Sequence, residues 1–532
     1  MNSGRNRATW SYAPSERRAI RALVEELAVP PLVAQLLFIR GATTPELGYQ
    51  FLNPSVEYLS DPFDVSGVDR AVERLRIARE REEKVLVFGD YDVDGITGTA
   101  VMYNALRDYG IQSCMYDMPN RLEEGYGISP ERIYQARDEN VDLIVTVDNG
   151  ITARQAAEAA RDAGIELLIT DHHEPENALP CADIIVNPKL DGPDHPCYDI
   201  CGAAVAFKLA TALTGKTDNL DLVALGTVAD IVPLLGENRI LVALGLREVP
   251  AKLRPGLMKL AQVCSLNVET LTARSVAYQL APRINAGGRL GDGNTAMNLI
   301  LAESLEAAEP IARELDRANK ERRDIEAAIL EEASAELAET FREEQRSIVL
   351  ARQGWHQGVI GIVASRLQRH FYRPVALIAI DEEGVGHGSV RGIPEFNVSA
   401  GLGACGEYLV KYGGHRAAGG FTLLQERLED FQAAFEREAA RQLAEGALRG
   451  VLSIDALIAF SQVDGQLLRY ISLLEPYGHG NAEPVFCTHR AEVLPQSCRL
   501  LRGGHLKAVL RNGDRNFPAI GFYMGDYFDF IR

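Results

Sequence analysis

The chain has 532 residues, of which 46% are hydrophobic and 24% charged, and its formal net charge at pH 7 is −19. A single hydrophobic core stops growing at about 250–300 residues, so we expect roughly two to four domains. No apolar run approaches the roughly 18 residues of a membrane-spanning helix. The acidic charge argues against a uniformly basic surface, although a narrow basic channel for a single nucleic-acid strand stays compatible with it.

The cysteines and the N-terminus indicate a cytoplasmic protein. Eight cysteines are scattered along the chain, and the first eighteen residues contain no apolar segment typical of a secretory signal. This density does not predict a disulfide framework, so we expect free thiols in a reducing compartment. Cys197 and Cys201 are the only close pair, and without a second such pair we do not expect zinc there.

In chain order, residues 1–45 are predicted to form a helical lead-in that Pro30 and Pro31 interrupt. Apolar runs then alternate with helical segments. The runs are VLVF at 85–88, VDLIVTV at 141–147 and IELLIT at 165–170. This alternation predicts βαβ units and a parallel sheet covered on both faces. We assign residues 46–300 to this first α/β domain; its last hundred residues are mainly helical and end in the glycine-rich stretch RINAGGRLGDGNTAMNL.

Residues 301–342 are predicted to form a long connecting helix. Apolar side chains recur there at helical spacing, at Ile311, Leu315, Ala318, Ile325, Ile329 and Leu337. A helix of about 30 residues spans roughly 45 Å, enough to connect two domains. A second α/β domain is expected at 343–445 and a small β-barrel with hairpin signals at 446–532. Because the chain stops in the aromatic segment DYFDFIR, we expect the natural C-terminus to lie further on.

Acidic and imidazole side chains follow all three apolar runs of the first domain where each run ends. They are Asp90, Asp92, Asp94, Asp148, His172 and His173. The carboxyl ends of neighbouring parallel strands meet at one edge of a sheet, so these side chains are expected to converge. Asp230, which interrupts an apolar stretch, is a further candidate. A lone aspartate at a strand end is more often a helix N-cap, but several unneutralised carboxylates together favour a bound cation.

Carboxylates mixed with imidazole suit Mn²⁺ or Mg²⁺. Two such cations sharing one carboxylate, Asp148, would account for the number of ligands. A pair of divalent ions is typical of phosphoryl transfer to water. The segment ALTGKT at 212–217 lacks the first glycine of a phosphate-binding Walker A loop, having Ala210 there, and is interpreted as a helix terminus.

Six segments resemble motifs of the DHH phosphoesterase superfamily and its DHHA1 companion domain, in order. They are FGDYDVDG, VTVDNG, ITDHH, GTVADIVPL, GSVRG at 388–392 and YGGHRAAGG at 412–420. The resemblance implies an α/β fold with a parallel-sheet DHH domain at 46–300. The connecting helix would join it to the DHHA1 domain, with an OB-like nucleic-acid-binding barrel following, possibly truncated.

Within the superfamily, the chain resembles the branch of bacterial 5′→3′ exonucleases specific for single-stranded DNA. The Asp90-led first motif, PNRLEEGYG at 119–127, the connector and the barrel carry this resemblance. The branch implies release of 5′-mononucleotides with two Mn²⁺ or Mg²⁺ per active site, in DNA recombination and repair. The implied partners are single-stranded DNA with a 5′ end, a single-strand-binding protein and a helicase. No membrane partner is expected, and we expect a monomer.

Two other functions were compatible with the motifs. A DHH-type phosphodiesterase acting on short oligonucleotides or cyclic dinucleotides would need neither the barrel nor the connector. A non-catalytic DNA-binding replisome scaffold would not need the acidic set.

The resemblance also implies a role for each matching residue. The implied metal ligands are Asp90, Asp92, Asp94, Asp148, His172 and Asp230. The implied catalytic residues are His173, which would contact the scissile phosphate, together with Asp148 and Asp230. The candidate substrate-binding residues are Arg121, Arg289, Ser389, Arg391 and His415, with Arg283 a weaker one. We expect Arg289, Ser389 and Arg391 to lie in glycine-rich loops, open to a terminal phosphate.

Basic and aromatic residues alternate near the hairpin loops of the barrel. They are Arg499, Arg502, Lys507, Arg511, Arg515, Phe517, Phe522 and Tyr523. This mixture suits a single nucleic-acid strand, through attraction to its backbone and stacking on its bases.

Overall fold

The protein is described here by a computed structural model. The described residues are 9–119, 127–288, 293–443, 448 and 450–531, together with the backbone of 289–290. The chain divides into two compact units. The first comprises Met1–Thr9, Ser60–Val232 and Leu244–Gly450, and the second comprises Trp10–Leu59, Pro233–Ala243 and Val451–Arg532.

The N-terminal segment contains strand β1 (Thr9–Tyr12) and helices α1 (Arg17–Leu27), α2 (Pro31–Ile39) and α3 (Pro45–Leu52). As predicted, the two prolines separate α1 from α2, with one of them at the first position of α2. Within the second unit, the apolar faces of these helices are buried. No single helix in the described part of the chain is long and apolar enough to cross a membrane; α1 and α2 meet that test only as a pair bent by 119°.

A five-stranded parallel sheet forms the centre of the first α/β domain, as predicted. Its elements are α4 (Val68–Glu80), β2 (Val85–Phe88), α5 (Val93–Tyr109), β3 (Cys114–Asp117), α6 (Pro130–Asp138), β4 (Leu143–Val147), α7 (Arg154–Ala163), β5 (Glu166–Thr170) and β6 (Ile184–Val186). The strand order is β3-β2-β4-β5-β6. The register pairs Phe88 with Thr146 and Val147 with Thr170, so β2, β4 and β5 end at one edge.

Helices make up the rest of this domain. They are α8 (Gly202–Thr214), α9 (Leu220–Ala229), α10 (Gly236–Lys252), α11 (Pro255–Val263), α12 (Ala273–Ser275), α13 (Ala281–Leu290) and α14 (Asn294–Ile300), with a π-helical turn at Val276–Leu280 before α13. The part of α10 up to Ala243 belongs to the second compact unit. Both α8 and α9 pack against α5. Helix α8 ends at Thr214 and is followed by Gly215 in a left-handed conformation, so ALTGKT is a helix terminus, as predicted.

The connecting helix α15 (Leu305–Thr340) has 36 residues and is therefore about 54 Å long. Its buried stripe differs from the predicted apolar one, because Asn319, Arg322 and Glu326 are buried at its centre. Glu326 accepts from Arg322 at 2.7 Å and pairs with Arg366 at 2.8 Å. Because these arginines pair with Glu326, the free-energy cost of burying its charge and that of Arg322 is partly offset.

The second α/β domain contains a mixed five-stranded sheet. Its elements are β7 (Ile348–Gln353), α16 (Gln357–Phe371), β8 (Val375–Ile380), β9 (Val385–Arg391), α17 (Val398–Ala404), β10 (Lys411–Gly414), β11 (Ala418–Leu424) and α18 (Leu428–Gln442). The strand order is β10-β11-β9-β8-β7, in which only β7 and β8 are parallel. The GSVRG segment is therefore mostly strand β9, and the predicted loop is wrong.

The C-terminal part of the second unit is built from short strands. Its elements are β12 (Val451–Ile454), β13 (Ala456–Leu457), α19 (Gly465–Ser472), β14 (Phe486–Cys487), β15 (Glu492–Val493), β16 (Arg499–Leu501), β17 (His505–Asn512), β18 (Arg515–Gly521) and α20 (Phe528–Ile531). Strand β17 pairs antiparallel with β15, β16 and β18, and β13 pairs with β14. The predicted hairpin turn between β17 and β18 is present, with Asn512 opposite Arg515 and Gly513 at φ +61°.

Candidate active site

The three aspartates after β2 lie at the start of helix α5. Asp92 is the N-cap of α5, and its carboxylate accepts from the amides of Asp94 and Gly95 at 2.9 and 3.1 Å. Asp94 is 1% exposed and accepts from the first amides of α8, at Gly202 (2.6 Å) and Ala203 (2.9 Å). Helix N-termini stabilise anions, so the local structure holds these carboxylates in place. The N-cap role of Asp92 is therefore observed, and its role as a metal ligand stays a prediction.

The ends of β4 and β5 bring the next two candidates to the same place. Asp148 directly follows β4 and has a left-handed backbone at φ +64°. Its Oδ1 atom lies 3.1 Å from Nε2 of His172. The same Nε2 atom lies 3.7 Å from Oδ2 of Asp230 and 3.8 Å from Oδ2 of Asp94. One imidazole nitrogen therefore faces three carboxylates from three separate segments of the chain.

The ligand atoms of these residues form three groups. In each group the atoms lie within 4.8 Å of one another: Asp90, Asp92 and Asp148; Asp94, His172 and Asp230; Asp148, His172 and His173. The first two groups together contain all six residues predicted to be metal ligands. The predicted convergence at the edge of the sheet is therefore observed: Asp148 belongs to the first and third groups, and His172 belongs to the second and third.

The electrostatics of the cluster are unfavourable without a cation. Burial, together with the neighbouring carboxylates of Asp94, Asp92 and Asp90, raises the pKa of Asp148 well above its ordinary value. Burial and the charge of Asp94 raise the pKa of Asp230 to about 9. Such shifts mean that the negative charges destabilise one another.

The imidazole at the centre of the cluster fits a metal ligand. Burial, followed by the charge of His173, lowers the pKa of His172 to about 4, so its ring is neutral near pH 7. Its Nε2 atom has no hydrogen-bond partner among the described residues, although carboxylate oxygens surround it. A neutral imidazole nitrogen among carboxylates is a donor set for divalent cations. The residues present therefore fit a pair of such ions.

His173 is held by Asp171, a residue that the sequence analysis did not assign to the site. The Asp171 carboxylate accepts from the amides of His172 (2.7 Å), His173 (3.1 Å) and Ile151 (2.9 Å), and its Oδ1 lies 2.7 Å from Nδ1 of His173. Burial alone would lower the pKa of His173, but the hydrogen bond and charge of Asp171 outweigh it and raise the pKa to about 9. Asp171, the first residue of the Asp-His-His tripeptide, thus positions His173, the third residue, and favours the cationic form of its ring.

His415 of the second α/β domain reaches the same site. Its ring lies 6.3 Å from the ring of His173, with an angle of 22° between the planes. His415 occupies the turn between β10 and β11, where its amide donates to the carbonyl of Ala418 at 2.8 Å. Gly414 before it has φ +147°, and a Cβ there would lie 2.4 Å from the Cα of Gly419, so the turn requires glycine.

Ser389 and Arg391 lie on strand β9. Two residues apart, they face the same side of the sheet, and Nη1 of Arg391 donates to Oγ of Ser389 at 3.0 Å. Helix α16 approaches this pair closely, because a Cβ on its residue Gly361 would lie 2.9 Å from the hydroxyl of Ser389. The predicted loop forms a strand because it pairs with strands on both sides, with Ser389 opposite Leu377 of β8 and Gly420 of β11. Gly388 lets the ring of Phe421 pack closely, since a Cβ there would meet ring atoms at 2.1 Å.

The structure describes the other predicted substrate-binding residues only in part. Arg121 lies outside the described residues, as does the side chain of Arg289. The backbone of Arg289 belongs to helix α13, so the loop predicted there is wrong. The weaker candidate Arg283 forms an ion pair with Asp316 of α15 at 2.7 Å.

Two glycines that the sequence analysis did not single out let helices approach the acidic side chains of the cluster. A Cβ on Gly202 of α8 would lie 2.6 Å from Asp148, and one on Gly226 of α9 would lie 2.6 Å from Asp94 Oδ1. Their signal in the sequence is weak, because a glycine inside a helix is also compatible with simple packing.

Some of the basic and aromatic residues of the C-terminal sheet are engaged by neighbouring side chains, and others are largely exposed. Arg511 pairs with Glu492 at 2.7 Å, and the ring of Phe517 packs edge-on against Phe460. Phe522 and Tyr523 are 67% and 70% exposed. Both rings pack edge-on against His505, with centroid distances of 5.4 and 4.7 Å.

Three family models match the chain. The DHH family N-terminal domain matches residues 84–227, the DHHA1 domain matches 344–441, and the RecJ OB domain matches 454–532. These matches confirm the predicted resemblance to the DHH superfamily and the OB-type assignment of the C-terminal strands.

Curated relatives match over almost the whole chain. The single-stranded-DNA-specific exonuclease RecJ of Haemophilus influenzae is 35% identical over 496 residues, which cover 88% of this chain and 86% of the relative. This chain belongs to the RecJ family. RecJ of Bacillus subtilis is 36% identical over 522 residues, covering 97% of this chain. The chain spans 66% of that longer relative.

A solved RecJ structure confirms the fold. The crystal structure of RecJ in complex with Mn²⁺ from Thermus thermophilus superposes with a TM-score of 0.83 at 32% identity, covering 97% of this chain and 74% of that one. The predicted α/β architecture with DHH, DHHA1 and OB domains is therefore that of the RecJ family.

The contacts of Asp171 predict the effect of replacing it. In Asp171→Asn the retained oxygen can still face His173 Nδ1, but the negative charge that holds His173 in its cationic form is lost, and the new NH₂ group faces the amide of Ile151, which it cannot accept from. We expect the rate of DNA hydrolysis to fall by about 10- to 100-fold, while Mn²⁺ affinity changes little. Asp183→Asn is the matched control, since Asp183 caps the amide of Leu167 on the same sheet. Full activity of Asp171→Asn would contradict the positioning role.

Proposed function

We propose that this RecJ-family chain is an exonuclease specific for single-stranded DNA. It hydrolyses phosphodiester bonds from the 5′ end and releases 5′-mononucleotides. The observation that carries this proposal is the Nε2 atom of His172, which faces the carboxylates of Asp148, Asp230 and Asp94 at 3.1, 3.7 and 3.8 Å. Such a cluster is typical of two-metal phosphodiester hydrolysis.

The two groups of ligand atoms would each hold one divalent cation, Mn²⁺ or Mg²⁺. One cation would lie among Asp90, Asp92 and Asp148, and the other among Asp94, His172 and Asp230. Asp148 Oδ1 lies 3.1 Å from Nε2 of His172, so we propose that Asp148 is shared by both cations. When bound, such ions activate a water molecule and stabilise the charge of the phosphate. Thermus thermophilus RecJ has been crystallised with Mn²⁺ and with Mg²⁺, which supports this assignment.

His173 would act on the scissile phosphate. Its Nδ1 atom is engaged by Asp171 at 2.7 Å, and we assign the other ring nitrogen, Nε2, as the donor to a phosphate oxygen. The raised pKa of about 9 keeps the ring cationic near pH 7, and a preorganised cationic donor stabilises charge that develops in the transition state. His415, whose ring lies 6.3 Å away, would contact the same nucleotide from the second domain.

The polarity of digestion would come from Ser389 and Arg391. A hydroxyl and a guanidinium on one face of β9 suit a terminal phosphate. Binding the 5′-phosphate there would place one nucleotide between this subsite and the cations, so each cut would release one mononucleotide. Arg121 and Arg289 are proposed to contribute to the same binding.

Arg391→Ala is expected to reduce the preference for a 5′-phosphate. Hydrogen bonds to charged groups contribute about 1.5–3 kcal/mol. We therefore expect kcat/KM on 5′-phosphorylated single-stranded DNA to fall about 10- to 150-fold. On the same oligonucleotide with a 5′-hydroxyl the change should be small, which serves as the internal control. Equal losses on both substrates would contradict a 5′-phosphate subsite.

The partners and the cellular role follow from the substrate. An enzyme that accepts one strand requires another protein to separate a duplex, so we propose that a helicase and a single-strand-binding protein work with this chain in recombination and repair. We propose a cytoplasmic monomer. All eight cysteines are free thiols, which supports a reducing compartment.

The test is digestion of single-stranded DNA labelled at either end. The proposal predicts that 5′-mononucleotides appear first from the 5′ end, that Mn²⁺ or Mg²⁺ is required, and that duplex DNA is resistant. A length series separates this activity from that of a short-oligonucleotide phosphodiesterase, which would slow as the substrate lengthens. Digestion from the 3′ end, or activity in excess chelator, would contradict the proposal.

A further inference from the structure

The first turn of α5 carries two of the proposed metal ligands, and its amides must find acceptors outside the helix. Asp92 accepts from the second and third of these amides, at Asp94 and Gly95. The first amide, that of Val93, points elsewhere. It donates to Oδ1 of Asn285 at 3.0 Å, across 192 residues of sequence.

Asn285 lies on helix α13, which approaches the aspartate loop closely. A Cβ added to Gly288, one turn further along α13, would lie 2.9 Å from the carbonyl oxygen of Tyr91 and 3.2 Å from its Cβ. Tyr91 stands between Asp90 and Asp92. The helix therefore contacts the loop at two successive points, by a hydrogen bond at Val93 and by close packing at Tyr91.

Helix α13 is itself anchored on the far side. Arg283 pairs with Asp316 of the connecting helix at 2.7 Å and donates to the carbonyl of Gln279 at 2.8 Å. The helix also contacts α16 of the second α/β domain. A loop of charged ligands would otherwise be free to move apart under its own repulsion, and α13 provides a rigid support against that movement.

We propose that Asn285 is a positioning residue for the cation held by Asp90, Asp92 and Asp148. Oδ1 of Asp92 accepts two amides as the helix cap, so we assign the other oxygen to the cation. The direction of that oxygen depends on where α5 begins, and the hydrogen bond from Val93 to Asn285 sets that point. The inference rests on the proposed two-cation site and concerns what orients its ligands.

Removal of the Asn285 side-chain amide is expected to weaken cation binding. Residues that orient metal ligands typically contribute about 10- to 100-fold to metal affinity. We expect Asn285→Ala to weaken Mn²⁺ binding at this site by about 10-fold or more, with the lost activity recovered at saturating Mn²⁺. In Asn285→Asp a carboxylate oxygen can accept the same hydrogen bond, so its Mn²⁺ affinity should stay within about threefold of the unmodified chain.

The experiment is a titration of the full chain with Mn²⁺, with free ion measured by electron paramagnetic resonance. Asn298→Ala is the matched control. Asn298 lies on neighbouring α14 and accepts one hydrogen bond from Tyr116 of β3, so this variant should bind Mn²⁺ normally. The melting temperature of each metal-free variant shows that it is folded.

Weakened binding in Asn285→Ala with normal binding in Asn285→Asp supports the proposal. Unchanged binding in Asn285→Ala, or an equal loss in both variants, overturns it. If the unmodified chain binds no Mn²⁺, the proposed function itself fails, and that result is distinguishable from failure of the positioning role.

Discussion

Asp148→Asn is expected to abolish nuclease activity and, at the same time, to stabilise the metal-free protein. Asp148 contributes a ligand atom to two of the three groups in the site. Loss of a residue that only orients a ligand already costs about 10- to 100-fold, so loss of a shared charged ligand should cost at least about 10³-fold. The metal-free protein should melt at a higher temperature, because one buried negative charge is gone from a cluster whose members raise one another's pKa.

The opposite signs of these two effects make the prediction specific. Mn²⁺ should raise the melting temperature of the unmodified chain, because a ligand that binds only the folded state stabilises it, and should do so much less in Asp148→Asn. Asp142→Asn is the control: Asp142 precedes β4 at its other end and accepts from the amide of Lys84 at 2.8 Å. If Asp148→Asn kept a tenth of the activity, or melted lower than the unmodified chain without metal, the cation site would be assigned wrongly.

His173→Ala is the second substitution with a large expected effect. If Nε2 of His173 donates to the scissile phosphate, its loss removes stabilisation that is needed in the transition state. Removal of one such donor costs about 10²- to 10³-fold in kcat. The KM for DNA and the affinity for Mn²⁺ should stay within about threefold of the unmodified chain, because in this proposal the ring contacts substrate rather than metal.

This separation of kcat from metal affinity tests the role of His173 directly. His173 also belongs to a group of possible ligands with Asp148 and His172. A parallel loss of Mn²⁺ affinity and activity would therefore make it a metal ligand instead. His370→Ala, an exposed histidine in the last turn of α16, is the control for nonspecific effects.

The position of the site could be predicted from the sequence because one geometric rule governs it. Short apolar runs alternating with helices predict a parallel sheet, and a parallel sheet brings its carboxyl ends together. Asp90 and Asp148 follow neighbouring strands β2 and β4, and His172 follows the next strand, β5. Their convergence could be predicted without knowing how distant segments of the chain pack together.

Features that depend on tertiary contacts were not predictable in the same way. The burial of Arg322 and Glu326 in the connecting helix depends on Arg366, forty residues further on. The strand conformation of Ser389 depends on its pairing with two other strands, where it lies opposite Leu377 and Gly420. A local sequence pattern does not show which distant residues will be neighbours. The sequence therefore predicted an apolar stripe on the connecting helix and a loop at Ser389.

The role of Asp171 could not be separated from those of its neighbours by sequence. It lies beside His172 and His173 in the same motif, and an acidic residue there is as compatible with metal binding as with positioning. Only the structure shows that its carboxylate accepts from the backbone amides of His172, His173 and Ile151. The hydrogen bond of Asn285 to Val93 was unpredictable for a similar reason, since 192 residues separate the two.

The central claim is that two divalent cations occupy the edge of the first sheet. Crystals of this chain grown with Mn²⁺ and measured at the manganese absorption edge test it most directly. The account predicts two anomalous peaks about 3.5–4 Å apart, one among Asp90, Asp92 and Asp148 and the other among Asp94, His172 and Asp230. The absence of any peak among these residues, or peaks only elsewhere on the protein, would contradict it.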